Sequence, residues 1–148
     1  MRISDLKKQA IGKDAVVVNL ATIPTAAGNN YAYTTAPFKG RLTAAYFTGV
    51  DALAASDTNY ITFGITNLGQ AGAGSAAMLA ASNANTTKVT GGTALSANTK
   101  RELTINATPA NLVVAAGDRL RIGPVGTGTL ANTVTGGVVL LVFQRSEQ

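Results

Sequence analysis

Histidine, cysteine and tryptophan are absent from these 148 residues, and acidic side chains number only seven. Each absence excludes chemistry. Without His, no side chain has an ordinary pKa near neutrality with which to shuttle protons. Without Cys there is no thiolate nucleophile and no disulfide framework. Ser and Thr hydroxyls then lack a His base, and a Lys base would need burial for which the sequence holds no cue. The expectation is a protein that is not an enzyme and that holds no cofactor or metal. Charge is scarce as well. At 13% charged residues, about half the usual fraction, solubility rests on Thr, Asn, Ser and Gly, a balance suited to surfaces that pack against protein.

What is present is a chain that is 46% hydrophobic, and at this length one domain can bury a core without disulfides or metal. The net charge of +5 comes from a shortage of acids. Lys39, Arg41, Lys88, Arg119, Arg121 and Arg145 are dispersed, and the only clusters are Lys7-Lys8 with Lys13 and the pair Lys100-Arg101. No aromatic stripe interleaves with them, so nucleic acid is not expected as a partner. A membrane is not expected either, because Val138–Phe143 is far too short to cross one. Met1–Lys8 carries charge without the apolar run of a secretion signal, which predicts a soluble product made in a cytoplasm.

Residues 1–14 read as a basic N-terminal arm. Ile3, Leu6 and Ile11 fit one side of a short helix capped by Ser4, but so few turns order only by docking, here on a neighbouring subunit. Residues 15–148 read as the folded domain. Ala15–Ala21 and Tyr31–Thr34 are short and strand-like. In Gly40–Thr48 strict alternation puts Leu42, Ala44 and Tyr46 on one face and Arg41, Thr43, Ala45 and Phe47 on the other. Asn59–Asn67 alternates most cleanly, with Ile61, Phe63 and Ile65 inward. The stretch 68–99 predicts a projecting loop, with one or two helical turns at Ala76–Ala81. Arg101–Asn106, Asn111–Ala115 and Asp118–Gly123 follow as strands, the last two joined by a tight Gly117-Asp118 turn. Gly123–Thr135 reads as a loop, and Val138–Arg145 closes the chain with a run that is apolar on both faces. Seven or eight short strands with Gly- and Asn-rich turns predict an all-β, antiparallel sandwich or jelly-roll-like domain.

Sites are few. Asp51 and Asp57, with Asn59, are candidate hard-oxygen ligands, but their spacing fits no calcium loop and turn capping explains them better. Asp57 and Glu102 would have to meet in space to act as an acid–base pair, and nothing in the sequence brings them together. The Gly-rich runs 69–75 and 123–129 match neither phosphate-binding pattern. Tyr31, Tyr33, Tyr46 and Tyr60 are candidates for stacking on sugars. Asn85-Thr86-Thr87 and Asn106-Ala107-Thr108 match the glycosylation pattern by chance.

The order of the last third is distinctive. Val113-Val114-Ala115-Ala116-Gly117-Asp118-Arg119-Leu120-Arg121-Ile122 is followed by a Gly/Thr loop and then Gly136-Gly137-Val138-Val139-Leu140-Leu141-Val142-Phe143. This order is similar to jelly-roll domains. With the Ala/Thr/Gly/Asn composition and the basic arm, the chain resembles the small decoration (cement) proteins of tailed bacteriophage capsids. The resemblance implies a non-enzymatic virion protein, often a homotrimer, that sits on the capsid surface and clamps neighbouring major capsid protein subunits. Ile3, Leu6, Lys7, Lys8 and Ile11 are then the expected capsid contacts, with Lys7 and Lys8 meeting acidic surface. The competing expectation is a host-recognition or glycan-binding module of a phage fibre or tail.

Overall fold

A computed structural model describes residues 12–146. Its architecture follows from the period-two burial seen most clearly in the segment Tyr60–Gly69, where Ile61, Phe63 and Ile65 are buried and their neighbours face outward. Among the described residues, ten strands share this pattern or bridge between strands that do. They are β1 (Lys13–Asn19), β2 (Gly28–Asn29), β3 (Ala32–Thr35), β4 (Gly40–Thr48), β5 (Tyr60–Gly69), β6 (Ala76–Ala77), β7 (Arg101–Leu103), β8 (Val113–Val114), β9 (Arg119–Thr127) and β10 (Val138–Arg145).

The pairing is that of one long antiparallel hairpin wrapped into two layers. β1 pairs with β10, β2 and β3 with β9, β4 with β7 and β8, and β5 with β6 at the tip. The pairs β10–β4 and β9–β5 then seal the wrap. One sheet therefore runs β1-β10-β4, with β7 and β8 both on the far side of β4; the other runs from β2 and β3 through β9 and β5 to β6. This is a jelly-roll-like antiparallel sandwich. Its two inner faces meet in a single apolar layer. Phe47 of the first sheet lies 4.7 Å, centroid to centroid, from Phe63 of the second. Phe38 meets Phe143 edge-on at 5.6 Å, the geometry that opposed ring quadrupoles favour. Leu42, Ile61, Leu120, Val139 and Leu141 are completely buried around them, each such side chain contributing about 1.5–3 kcal/mol.

Four departures from simple alternation shape the surface. In β4 both Leu42 and Ala45 are buried, and Ala44 and Tyr46 turn outward. The cause is a bulge: Val142 faces Ala44 while Phe143 faces Leu42, so Thr43 is an extra residue and the faces exchange after it. Strict alternation had placed Leu42 with Ala44 and Tyr46. The loop expected from Gly123 starts only at Gly128, because β9 continues to Thr127. Pro124 is tolerated inside this central strand because the Pro124 carbonyl accepts the Asn30 N–H where the neighbouring edge breaks between β2 and β3. The missing N–H points to that same break. Ala76–Ala81 is extended and not helical: Met78 donates to the Ile65 carbonyl, and Leu79 bridges to Ile105. Finally, Asn111–Ala115 splits into a 3₁₀ turn, Pro109–Leu112, followed by β8.

The stretch 68–99 does not project. Met78, Leu79, Asn85, Thr86, Thr87 and Leu95 are all buried. Polar side chains hold it down: Asn85 Nδ2 donates to the Ala80 and Thr104 carbonyls, both at 2.8 Å, and Asn85 Oδ1 accepts the Thr104 N–H at 2.7 Å. Arg101 adds a second clamp, its guanidinium donating to the carbonyls of Thr93, Ala84 and Thr86 at 2.9, 2.9 and 2.7 Å. At the other end of the sandwich the expected Gly117-Asp118 turn is present. Gly117 takes φ 91°, a left-handed conformation that favours Gly. The Asp118 carboxylate then accepts the Ala115 N–H at 2.8 Å and Asn67 Nδ2 at 2.9 Å, tying the turn to β5.

Candidate functional site

The expected arm contacts Ile3, Leu6, Lys7, Lys8 and Ile11 lie outside the described residues. The strand reaches further toward the arm than the sequence reading allowed. Lys13 and Asp14 pair with Gln144 and Phe143 as the first rungs of β1. Asp14 also meets Arg145 at 3.4 Å, the only ion pair among the described residues.

The sheet that receives this N-terminal end has an apolar outer face. Ala15 and Val17 of β1 stand opposite Val142 and Leu140 of β10, which in turn stand opposite Ala44 and Tyr46 of β4. Val17 is 59% exposed. The double-sided apolar character of β10 thus has a core face, Val139, Leu141 and Phe143, and a second face that is only partly covered. Contiguous apolar surface of this kind marks interaction sites. Lys100 lies over the Tyr46 ring at 4.4 Å, so the Lys100-Arg101 pair is not a cationic patch: one cation covers an aromatic and the other is engaged by carbonyls. Burial lowers the Arg101 pKa from its ordinary value.

The outer face of the opposite sheet is of another kind. Thr62, Gly64 and Thr66 of β5 lie beside Arg121, Gly123 and Val125 of β9. Two adjoining depressions, about 410 Å³ and about 120 Å³, share Thr62, Gly64 and Thr66. The larger arises because the chain leaves the edge of β5 after Met78 and returns only at Thr86, which bridges to Thr62. Thr87 restores the ladder on Ile61 through its N–H and hydroxyl. Ladder alternation turns the N–H and C=O of Phe63, midway between Ile61 and Ile65, into this opening. The antiparallel bridge between Thr62 and Thr86 sets the Phe63 N–H toward the Asn85 carbonyl. Tyr60 flanks one end with Lys88 4.5 Å from its ring centroid, and Tyr31 flanks the other with the Arg121 guanidinium at 4.6 Å. Tyr31 lies on Gly123, where a Cβ would come within 2.8 Å of its ring. Arg121 has no carboxylate partner among the described residues, and its side-chain hydrogen bond there is a long 3.5 Å approach to Thr66 Oγ1.

The remaining candidates have structural partners. Asp51 Oδ2 accepts from Thr135 N–H and Oγ1 at 2.7 and 2.6 Å. The Thr135 hydroxyl, and then its N–H, holds the Asp51 carboxyl below the ordinary carboxylate range. Asp57 accepts from Thr90 N–H and Oγ1 at 2.9 and 3.0 Å, and its pKa is lowered first by that N–H, with Lys88 assisting. Asn59 Oδ1 accepts the Thr129 N–H at 3.0 Å. These three groups fasten loops, as Asx-type turn chemistry does. Glu102 stands opposite Tyr46 across β4–β7, on a different element from the loop that carries Asp57. Asn85 is 1% exposed with both amide ends bonded, so its match to a glycosylation pattern has no accessible acceptor. Tyr33 is exposed on β3, opposite Arg121 in the β3–β9 ladder and two positions from Tyr31. Sequence reasoning missed the roles of Asn85 and Arg101. Their one signal was a polar residue inside a long connection that carried several apolar ones.

No protein-family model matches the chain, and no curated protein matches it.

Proposed function

We propose that the chain is a structural virion protein, a decoration or cement protein that binds the outside of a phage head and strengthens contacts between major capsid subunits. The observation that carries this reading is the apolar outer face of β1, β10 and β4 on the same sheet into which the basic N-terminal segment leads. Such a face is incomplete in a monomer. A homotrimer that covers part of it, with the segment carrying Ile3, Leu6, Lys7, Lys8 and Ile11 reaching capsid surface, accounts for both features. Spreading contacts over several subunits raises modest affinities into firm attachment. The closed ladder and the low charge fit a shape-providing role. Asp51, Asp57 and Asp118, the carboxylates best held by neighbours, act as fasteners.

Co-sedimentation with tailed-phage particles stripped of this protein tests the proposal, together with the solution mass. The full chain is expected as a trimer that pellets with the particles. A chain lacking residues 1–11 keeps every rung from Lys13 onward and is expected to fold but not to pellet. Equal binding by the shortened chain removes the arm from the proposal. A monomer that never pellets removes the whole reading.

A further inference from the structure

We infer that the trough on the outer face of β5 and β9 is a binding site for an acidic glycan, a saccharide chain carrying carboxylates. The site lies on the sheet opposite the apolar face, so both surfaces can be occupied at once. From Tyr60 to Thr66 it extends about 20 Å along β5 at the rise of an extended chain, room for an oligosaccharide.

Its floor is glycine. Gly64 and Gly123 stand side by side across the β5–β9 ladder; the Tyr31 ring covers Gly123, and the bare backbone at Gly64 lets a flat ring settle beside it. Its ends are Tyr60 and Tyr31, whose rings offer apolar faces with a polar tip. Its walls carry the hydroxyls of Thr62, Thr66 and Ser82. Sugar hydroxyls both donate and accept, so they suit these walls better than an apolar ligand does. Selection for acid comes from Arg121. Its half-buried guanidinium is fixed against Tyr31, pre-oriented, and lacks a carboxylate among the described residues. A planar fork in that state pairs with a carboxylate through two parallel hydrogen bonds. Lys88 places a second positive charge beside Tyr60. Two cations at opposite ends are too few to follow a nucleic-acid backbone, where affinity comes from many phosphate contacts.

Titration calorimetry on the full chain tests the site with four probes: hexagalacturonate, sialyllactose, neutral maltohexaose, and a thymidine oligonucleotide of similar charge. At least one of the two acidic saccharides is expected to bind at least tenfold more tightly than maltohexaose and the oligonucleotide. Arg121→Gln is expected to weaken that binding tenfold or more, and Tyr60→Ala to weaken it independently. Val113→Ala, on β8 of the opposite sheet, is expected to leave it unchanged. Thermal melts check that each variant is folded, and the two trough variants serve as backups for each other. Failure of both acidic saccharides to bind overturns the inference. Equal binding of maltohexaose overturns the acid selectivity, and tighter, salt-sensitive binding of the oligonucleotide overturns the saccharide assignment. Unchanged affinity in folded Arg121→Gln overturns the location.

Discussion

Asn85→Ala removes a side chain that holds three hydrogen bonds and exposes almost nothing to solvent. The losses are unequal. The Thr104 carbonyl keeps the Ala80 N–H at 2.9 Å, and the Ala80 carbonyl keeps the Ser82 N–H at 2.9 Å. Only the Thr104 N–H is left without a partner. Three bonds of about 1 kcal/mol net each give an upper reading near 3 kcal/mol, and one orphaned donor alone costs about 1–3 kcal/mol. A loss of about 2–4 kcal/mol is expected once the small void is added. That is a large part of the roughly 5–15 kcal/mol that a domain commands. Asn85→Asp is the sharper variant, because it turns a carboxylate oxygen toward two carbonyls that now accept from an amide. Its cost at neutral pH is expected to exceed that of the alanine variant. Urea unfolding of both variants, with the slope compared to the parent, measures the difference. A loss below about 1 kcal/mol for alanine, or aspartate tolerated as well as alanine, refutes the claim that this amide holds the 68–99 stretch down.

Asp118→Ala removes the acceptor shared by Asn67 and Ala115 and is expected to cost about 2–4 kcal/mol in urea unfolding, since a half-buried N–H loses a charged partner. Gly123→Ala forces a Cβ to within 2.8 Å of Tyr31. Because that ring lies at the surface it shifts outward, so the expected cost is about 1–2 kcal/mol, and the Tyr31 ring resonances should move with it. The lowered pKa values of Asp51 and Asp57 mean that their loop contacts stabilise the fold above the usual carboxylate pKa of 3.8. That contribution is lost as pH falls through the lowered values. Protection of the Thr135 and Thr90 amides relative to unfolded-chain exchange, measured by hydrogen exchange, should hold from pH 7 to about pH 4 and fall below it. Thr135→Val should raise the Asp51 pKa toward its ordinary value, read by carboxyl NMR titration.

Much of the framework is written in local pattern. Ile61, Phe63 and Ile65 declare an inward face by alternation alone, and Gly117-Asp118 declares a turn because Gly takes the left-handed conformation at no steric cost. The absence of His and Cys is likewise a property of the chain before it folds. Local pattern fails where a distant partner intervenes. Ala44 and Tyr46 face outward because β10 meets β4 with one residue out of step at Thr43, a fact of pairing between segments about 100 positions apart. Ala76–Ala81 has helical composition but lies extended, since the edge of β5 offers its N–H groups partners and tertiary pairing overrides propensity.

The trough shows the same division. Tyr31, Tyr60 and Arg121 were each visible as residues, and two of the four tyrosines named for sugar stacking do flank one surface. What joins them is the β5–β9 register, the glycine pair it aligns, and the departure of the chain from β5 after Met78. Sequence alone determined which residues face the core along β5, where the Gly117-Asp118 turn falls, and which chemistries lack their reagents. Which strands become neighbours, and therefore which side chains share a surface, was decided only by the tertiary fold, because hydrogen-bonded register couples residues that local propensity treats as independent.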